Sequence, residues 1–445
     1  MILLENPIIV TGQKVGKGSV LIEGDTIVKV IWNDDETPSL PVISEAETFD
    51  LEGKYLIAGG IDAHVHFRDP GLTHKADMET ESRAAIAGGV TTVFDMPNTK
   101  PPTVDARSLA EKKGLAVGRS LAKIGFHIGA SNINVEDVCS MVEKGDPEYG
   151  IIPDDIPGVK VFMGSSTGNM LVDDESSLKR LFRIRNKPVL VHCEDEAIIR
   201  KNIAEAERKY GEDIPFEEHE KIRSRQACIR SSIKALELAM ENGTKLVLCH
   251  ISTKEEINMV KAAKAINSGI TAETSCNYLW FNNKDYSRLG SHLKCNPSVK
   301  TEDDMAALRE ALRDGIIDTI GSDHAPHLLS EKDTAYAKAP SGLPSIQQSL
   351  PVLLTIARQE DIPLSRIASV FSENAAKLYG LDRGIISEGY KADLVVFDYD
   401  REFIVEAEDQ YSKCGWTPYQ GEKLCGSIET VYIDGKTVLV NGKIA

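Results

Sequence analysis

Eight short apolar runs, set among stretches of helical periodicity, constrain what this chain can fold into more than any other feature. They are residues 57–65 (IAGGIDAHV), 91–96 (TTVFDM), 123–129 (KIGFHIG), 158–164 (GVKVFMG), 188–193 (PVLVHC), 245–251 (KLVLCHI), 270–274 (ITAET) and 318–322 (DTIGS). Runs of this length and β-branched content read as strands buried on both faces. Between them, residues 75–87, 106–115, 175–185, 222–240, 254–266 and 301–312 carry apolar side chains at helical spacing. Such alternation specifies an α/β fold with a parallel sheet. Eight repeats suit a closed (β/α)8 TIM-like barrel over residues 57–380 better than an open sheet.

The two ends are written in another style. Residues 1–56 and 381–445 read as short strands joined by turns, with hairpin signals at Glu23-Gly24-Asp25, Asp434-Gly435 and Asn441-Gly442. We expect them to form one small β-sandwich domain, built from both termini and packed beside the barrel.

With 51 basic against 68 acidic residues the net charge is −17, which argues against a nucleic-acid or anionic-membrane partner. The opening MILLENPIIVTG lacks a basic segment before its apolar residues, and no apolar stretch nears the roughly 18 residues of a membrane span. A cytoplasmic location is the expectation. Eight cysteines occur without a CxxC pair. Two of them, Cys193 and Cys249, lie in buried runs, so reduced packing thiols are favoured over disulfides.

His64 and His66 stand one residue apart at the end of the first run. Side chains two apart on a strand share a face, so both can grip one metal ion. Lys160, His192, His250 and Asp323 sit at or near the ends of other runs, where parallel α/β folds gather function. A single buried histidine is more often a core residue, but four of the ten histidines occupy these strand-end positions. His127, inside its run, reads as structural; His74, His219 and His292 read as surface residues, and His324 is left open.

Two divalent ions, with zinc the expected one, need a bridging anion to approach closely. Lys160 is the odd member, because an ammonium cannot ligate. In its neutral form the amine reacts with carbon dioxide, and the resulting carbamate is a long bidentate carboxylate able to bridge both ions. Asp323 can then serve as ligand and as general base toward a bridging hydroxide. No GxSxG or P-loop pattern competes with hydrolysis by metal-activated water, and the Ser165-Ser166 pair has no nearby His or Asp partner pattern.

Taken together, the strings HVHFRDPG, DMPNT, SDHAPH and KADLVVFD resemble the amidohydrolase superfamily, and within it the dihydroorotases, over essentially the whole chain. The resemblance implies reversible hydrolysis of the cyclic amide of dihydroorotate to N-carbamoyl-aspartate in pyrimidine biosynthesis. It also implies that Arg68, Asn98 and His327 bind the substrate carboxylate, a planar guanidinium being a bidentate partner for such a group. Asn296, Ser341 and Gly342 would contact the ring, and the loop 328–340 is long enough for a lid. Lys160 resembles the carbamylated-lysine members of the family, some relatives having aspartate there. Ser275-Cys276-Asn277 stands where many relatives have Pro-His-His. Partner expectations are the small-molecule substrate, a homodimer, and association with aspartate carbamoyltransferase. Two rival readings remain: a hydantoinase, dihydropyrimidinase or allantoinase acting on another ring, and a catalytically silent scaffold.

Overall fold

Gly59 divides the first apolar run between two sheets. In the computed structural model, which describes residues 1–34, 46–164 and 170–445, Tyr55–Ala58 pairs with Leu394–Ile404 in a sheet made from the two chain ends, whereas Gly60–Val65 begins the barrel. A side chain at Gly59 would run into the side chain of Thr91, so only glycine lets the chain pass there. Ser165 and Ser166 lie outside the described residues.

The barrel strands are β1 (Gly60–Val65), β2 (Val90–Asp95), β3 (Lys123–Phe126, resumed at Ile128–Gly129), β4 (Val159–Phe162), β5 (Val189–His192), β6 (Leu246–Leu248), β7 (Thr271–Thr274) and β8 (Thr319–Ile320). Successive strands pair in parallel from β1 to β3 and from β3 to β8. Closure comes just past the last strand, where Val65 bridges His324 and the His66 N–H donates to the His324 carbonyl at 2.8 Å. The strand-like runs and their order therefore carry over into a closed (β/α)8 barrel.

Helices begin where side chains cap them. Asp77, Asp105, Thr253 and Thr301 each accept from a backbone N–H of the first turn, at the starts of Met78–Ala87, Ala106–Ala116, Lys254–Lys264 and Glu302–Arg313. The first of these starts at 78 rather than 75 because the cap falls at Asp77. Further helices, Val135–Lys144, Glu196–Tyr210 and Ser349–Gln359, add to those read from periodicity.

The second sheet interleaves strands from both termini: Leu394–Ile404 lies between Lys423–Ile433 and Tyr55–Ala58, and Tyr55–Ala58 pairs in parallel with Ile8–Val10. Period-2 alternation assigns its faces. Leu56, Ala58, Leu394 and Val396 join the small domain's own core, while Ile57, Val395 and Phe397 join the core shared with the barrel. Strand Val15–Glu23 folds back on Thr26–Trp32 through Gly24, and both Asp434-Gly435 and Asn441-Gly442 adopt the positive φ angles of tight hairpins.

One expectation needs correction. His219 is buried, not on the surface: its ring is held by the Tyr336 hydroxyl at 2.7 Å and the Cys295 carbonyl at 2.8 Å. The loop 328–340, read as long enough for a lid, is tied to its surroundings by two lysines. Lys332 reaches the carbonyls of Lys294, Pro340 and Gly342 at 3.1, 2.9 and 3.1 Å, and Lys294 reaches those of Tyr336 and Ala339, each at 2.6 Å. Burial pushes the Lys332 ammonium down to about 7 and that of Lys294 to about 8.

Candidate metal centre

The strand ends bring His64, His66, Lys160, His192, His250 and Asp323 to one rim of the barrel. His66 follows the last residue of β1, Lys160 is the second residue of β4, His192 ends β5, and His250 and Asp323 lie just beyond β6 and β8. Both of the latter are held at positive φ, 40° and 50°, conformations that side chains rarely adopt outside constrained functional sites.

Three of the four histidines are oriented by a partner on the nitrogen turned away from the centre. Glu273 on β7 lies 2.8 Å from His64 Nδ1, which leaves Nε2 3.5 Å from Asp323 Oδ1. The Asn98 side-chain oxygen accepts from His66 Nδ1 at 2.8 Å, and His66 Nε2 lies 3.0 Å from the same Asp323 oxygen. His64, His66 and Asp323 thus aim three ligand atoms at one point. Opposite them, Glu194 lies 2.9 Å from His192 Nε2 and is itself held by Arg223 at 2.8 Å. A carboxylate there fixes the hydrogen on Nε2 and turns the Nδ1 lone pair inward, the usual way an outer carboxylate tunes a ligating imidazole.

The donor set fits metal ions. His192 Nδ1 faces His250 Nε2 at 2.9 Å, and among the described residues the buried Nδ1 of His250 has no partner. Only one hydrogen can occupy the gap between the rings, whereas a cation there would take a lone pair from each. Burial drives the imidazoles of His64, His192 and His250 below their ordinary pKa, so they stand in the neutral, ligating form. Burial by itself would raise the Asp323 carboxyl. The hydrogen bond from His66 Nε2 and the pull of the surrounding imidazoles whenever they are protonated act the other way and lower it. Lys160 is fully buried between the two sets, its Nζ 3.5 Å from Cys249 Sγ and facing the Phe162 ring.

A second grouping, His64 with Cys249 and Glu273, is also close enough to hold an ion. Burial pushes the Cys249 thiol well above its ordinary value, which keeps it protonated and a poor ligand, so the Asp323 grouping is the better site.

Arg68 lies past the end of β1 with φ 64°. Its guanidinium donates to the Pro326 carbonyl at 3.1 Å and lies 3.0 Å from His327 Nε2. His327 in turn meets the Ser341 carbonyl at 3.1 Å. Burial, then the cations Arg68, Lys75 and Lys332, push His327 far below its ordinary pKa. The backbone of Gly342 is occupied at both ends, its N–H by the Lys294 carbonyl and its carbonyl by Lys332, and its φ of 141° belongs to glycine. Asn296 has a buried side-chain oxygen without a partner among the described residues. Ser275-Cys276-Asn277 braces the end of β8, Ser275 Oγ and Asn277 Nδ2 both donating to the Ser322 carbonyl.

Sequence reasoning passed over Glu194 and Glu273, although each left a trace: an acidic residue two positions after His192, and another in the middle of a buried strand. His127 is structural, its Nε2 donating to the Ala63 carbonyl at 3.0 Å. His324 is bound to buried Glu81 at 2.7 Å.

Residues 55–438 match the amidohydrolase family. The chain is 35% identical over 430 residues to a dihydroorotase of Methanosarcina acetivorans, covering 94% of this chain and 88% of that protein. It is 32% identical to a dihydroorotase of Aquifex aeolicus, covering 95% of each. Among solved structures, an L-hydantoinase (dihydropyrimidinase) from Arthrobacter aurescens superposes with a TM-score of 0.91 at 26% identity, covering 100% of this chain and 97% of that one.

Proposed function

Because the chain belongs to the amidohydrolase family, in its dihydroorotase branch, we propose that it interconverts dihydroorotate and N-carbamoyl-aspartate in pyrimidine biosynthesis. It is a hydrolase of cyclic amides. The observation that carries the choice of substrate is the pairing of the Arg68 guanidinium with His327, 3.0 Å apart at the rim that holds the metal-ligand set. A guanidinium beside an imidazole edge suits a ring bearing a carboxylate better than a neutral ring.

His64, His66 and Asp323 would hold one divalent cation and His192 and His250 a second, zinc by preference, with Lys160 bridging them as a carbamate. When bound, such ions polarise a carbonyl and lower the pKa of water. The chain's own groups do the rest. Arg68, Asn98 and His327 grip the carboxylate and so fix which ring carbonyl faces the metal set. Asn296 and Ser341 line the ring, while Gly342, whose N–H and carbonyl are both engaged within the chain, holds that segment in place. Asp323 takes the proton of the attacking water and returns it to the ring nitrogen as the C–N bond breaks.

The test is ring opening by metal-loaded protein of dihydroorotate, hydantoin, dihydrouracil and allantoin in parallel. Selective turnover of dihydroorotate, abolished by chelation, is expected. Preference for a neutral ring would overturn the role given to Arg68, and no turnover of any ring would favour a scaffold. The reading also includes a cytosolic homodimer able to associate with aspartate carbamoyltransferase. Light scattering of the chain, alone and mixed with that enzyme, checks both associations.

A further inference from the structure

Lys75 is a buried-edge cation that the mechanism above does not use. It lies in the loop before helix Met78–Ala87, and its side chain crosses to the segment after β8. There its Nζ lies 3.0 Å from His327 Nδ1 and 2.8 Å from Glu331 Oε1. An ammonium can only donate, so the nitrogen it meets on His327 must carry the lone pair. A neutral imidazole has one hydrogen, which then sits on Nε2, where the Ser341 carbonyl accepts it at 3.1 Å. The same Nε2 edge faces the Arg68 guanidinium at 3.0 Å. A guanidinium also only donates, so this contact by itself asks for a lone pair on Nε2; in the Nε2–H form that Lys75 and the Ser341 carbonyl favour, the two donors oppose each other, an arrangement that an anion with several lone pairs relieves.

We propose that Lys75 is a positioning residue for substrate specificity: by fixing the Nε2–H tautomer of His327 it keeps that edge a donor beside Arg68, and so selects cyclic amides that carry a carboxylate. Without it, the imidazole can move its hydrogen to Nδ1 and accept from Arg68 at Nε2. Arg68 and His327 would then satisfy each other and compete with the substrate carboxylate for the guanidinium. The peptide carbonyl of His327 is held by the Trp416 indole at 2.7 Å, so the change falls on the ring and leaves the backbone in place. This inference rests on the dihydroorotate reading.

The experiment combines steady-state kinetics on dihydroorotate with 15N NMR of His327 in the full-length, metal-loaded chain. Lys75→Met is expected to raise KM about tenfold, the loss of one charge-assisted hydrogen bond, with kcat within about threefold. The His327 nitrogen shifts should report Nε2–H in the wild type and gain the Nδ1–H form in the variant. Lys75→Gln, which keeps a donor, should retain the wild-type tautomer and most of the affinity, and it serves if the methionine variant does not fold. A wild-type His327 in the Nδ1–H form, or an unchanged KM in Lys75→Met, would overturn the proposal. Arg68→Met separates the two levels. If it leaves KM for dihydroorotate unchanged, the functional reading itself falls. If it raises KM while Lys75→Met does not, only the role of Lys75 falls.

Discussion

At the residue scale, the site depends on side chains that orient the proposed ligands. Glu194 is fully buried between His192 and Arg223, and although burial opposes ionisation, Arg223 and His192 bring its carboxyl down to about 2. Glu194→Gln keeps the shape but removes the charge that would make His192 a better ligand. Metal affinity should fall by about 10–100-fold, read by competition with a chromophoric chelator. An unchanged affinity would mean that His192 does not ligate. Lys160→Ala should bind about one equivalent of zinc in place of two and regain part of its activity with added short carboxylates, because these could stand in for the carbamate proposed on Lys160. Full metal content and activity in that variant would sink the bridging role.

At the element scale, Asp304 ties three helix starts together. It sits in the first turn of helix Glu302–Arg313, where it accepts from the Thr301 N–H at 3.1 Å. It also accepts from both terminal nitrogens of Arg225, the first residue of helix Arg225–Asn242, at 2.8 and 2.5 Å, and from the N–H of Lys254, which opens helix Lys254–Lys264, at 3.0 Å. Burial would raise its carboxyl, but the Arg225 and Thr301 hydrogen bonds prevail and lower it. A depressed carboxyl contributes stability above its ordinary value and loses it as pH falls through the folded value. Asp304→Asn should therefore cost about 2–4 kcal/mol in urea unfolding at neutral pH, with the gap to wild type closing on acidification. A gap that stays constant with pH would show that the charge is not responsible. At the end of β8, a Cβ at Gly321 would lie 2.6 Å from Glu273 Cδ and 2.8 Å from His64 Cβ. Gly321→Ala should lower metal content by displacing His64, a prediction that equilibrium dialysis against zinc checks.

At the scale of the whole molecule, barrel and sandwich share one core. Ile57, Val395, Phe397, Ile428 and Val431 pack into the same cluster as the barrel helices, and Tyr419 donates to Asn277 at 2.9 Å beneath the rim. Removing residues 381–445 would strip Tyr55–Ala58 of its neighbour Leu394–Ile404 and His327 of Trp416. The full chain should unfold calorimetrically in one transition, and the truncated chain should show no cooperative transition; a cooperative truncated barrel would show that the small domain is dispensable. The sequence alone determined the barrel strands, the hairpins of the ends and the six candidate ligands, because period, turn chemistry and the His-x-His spacing are local properties that survive without knowledge of the fold. Periodicity also missed Glu196–Tyr210 among the helices, and solvent exposure was misjudged for His219, whose partners Tyr336 and Cys295 lie 117 and 76 residues away. That Glu273 orients His64, how Lys332 and Lys294 tie the loop and that Lys75 reaches His327 emerge with the folded chain, because each contact joins segments far apart in sequence.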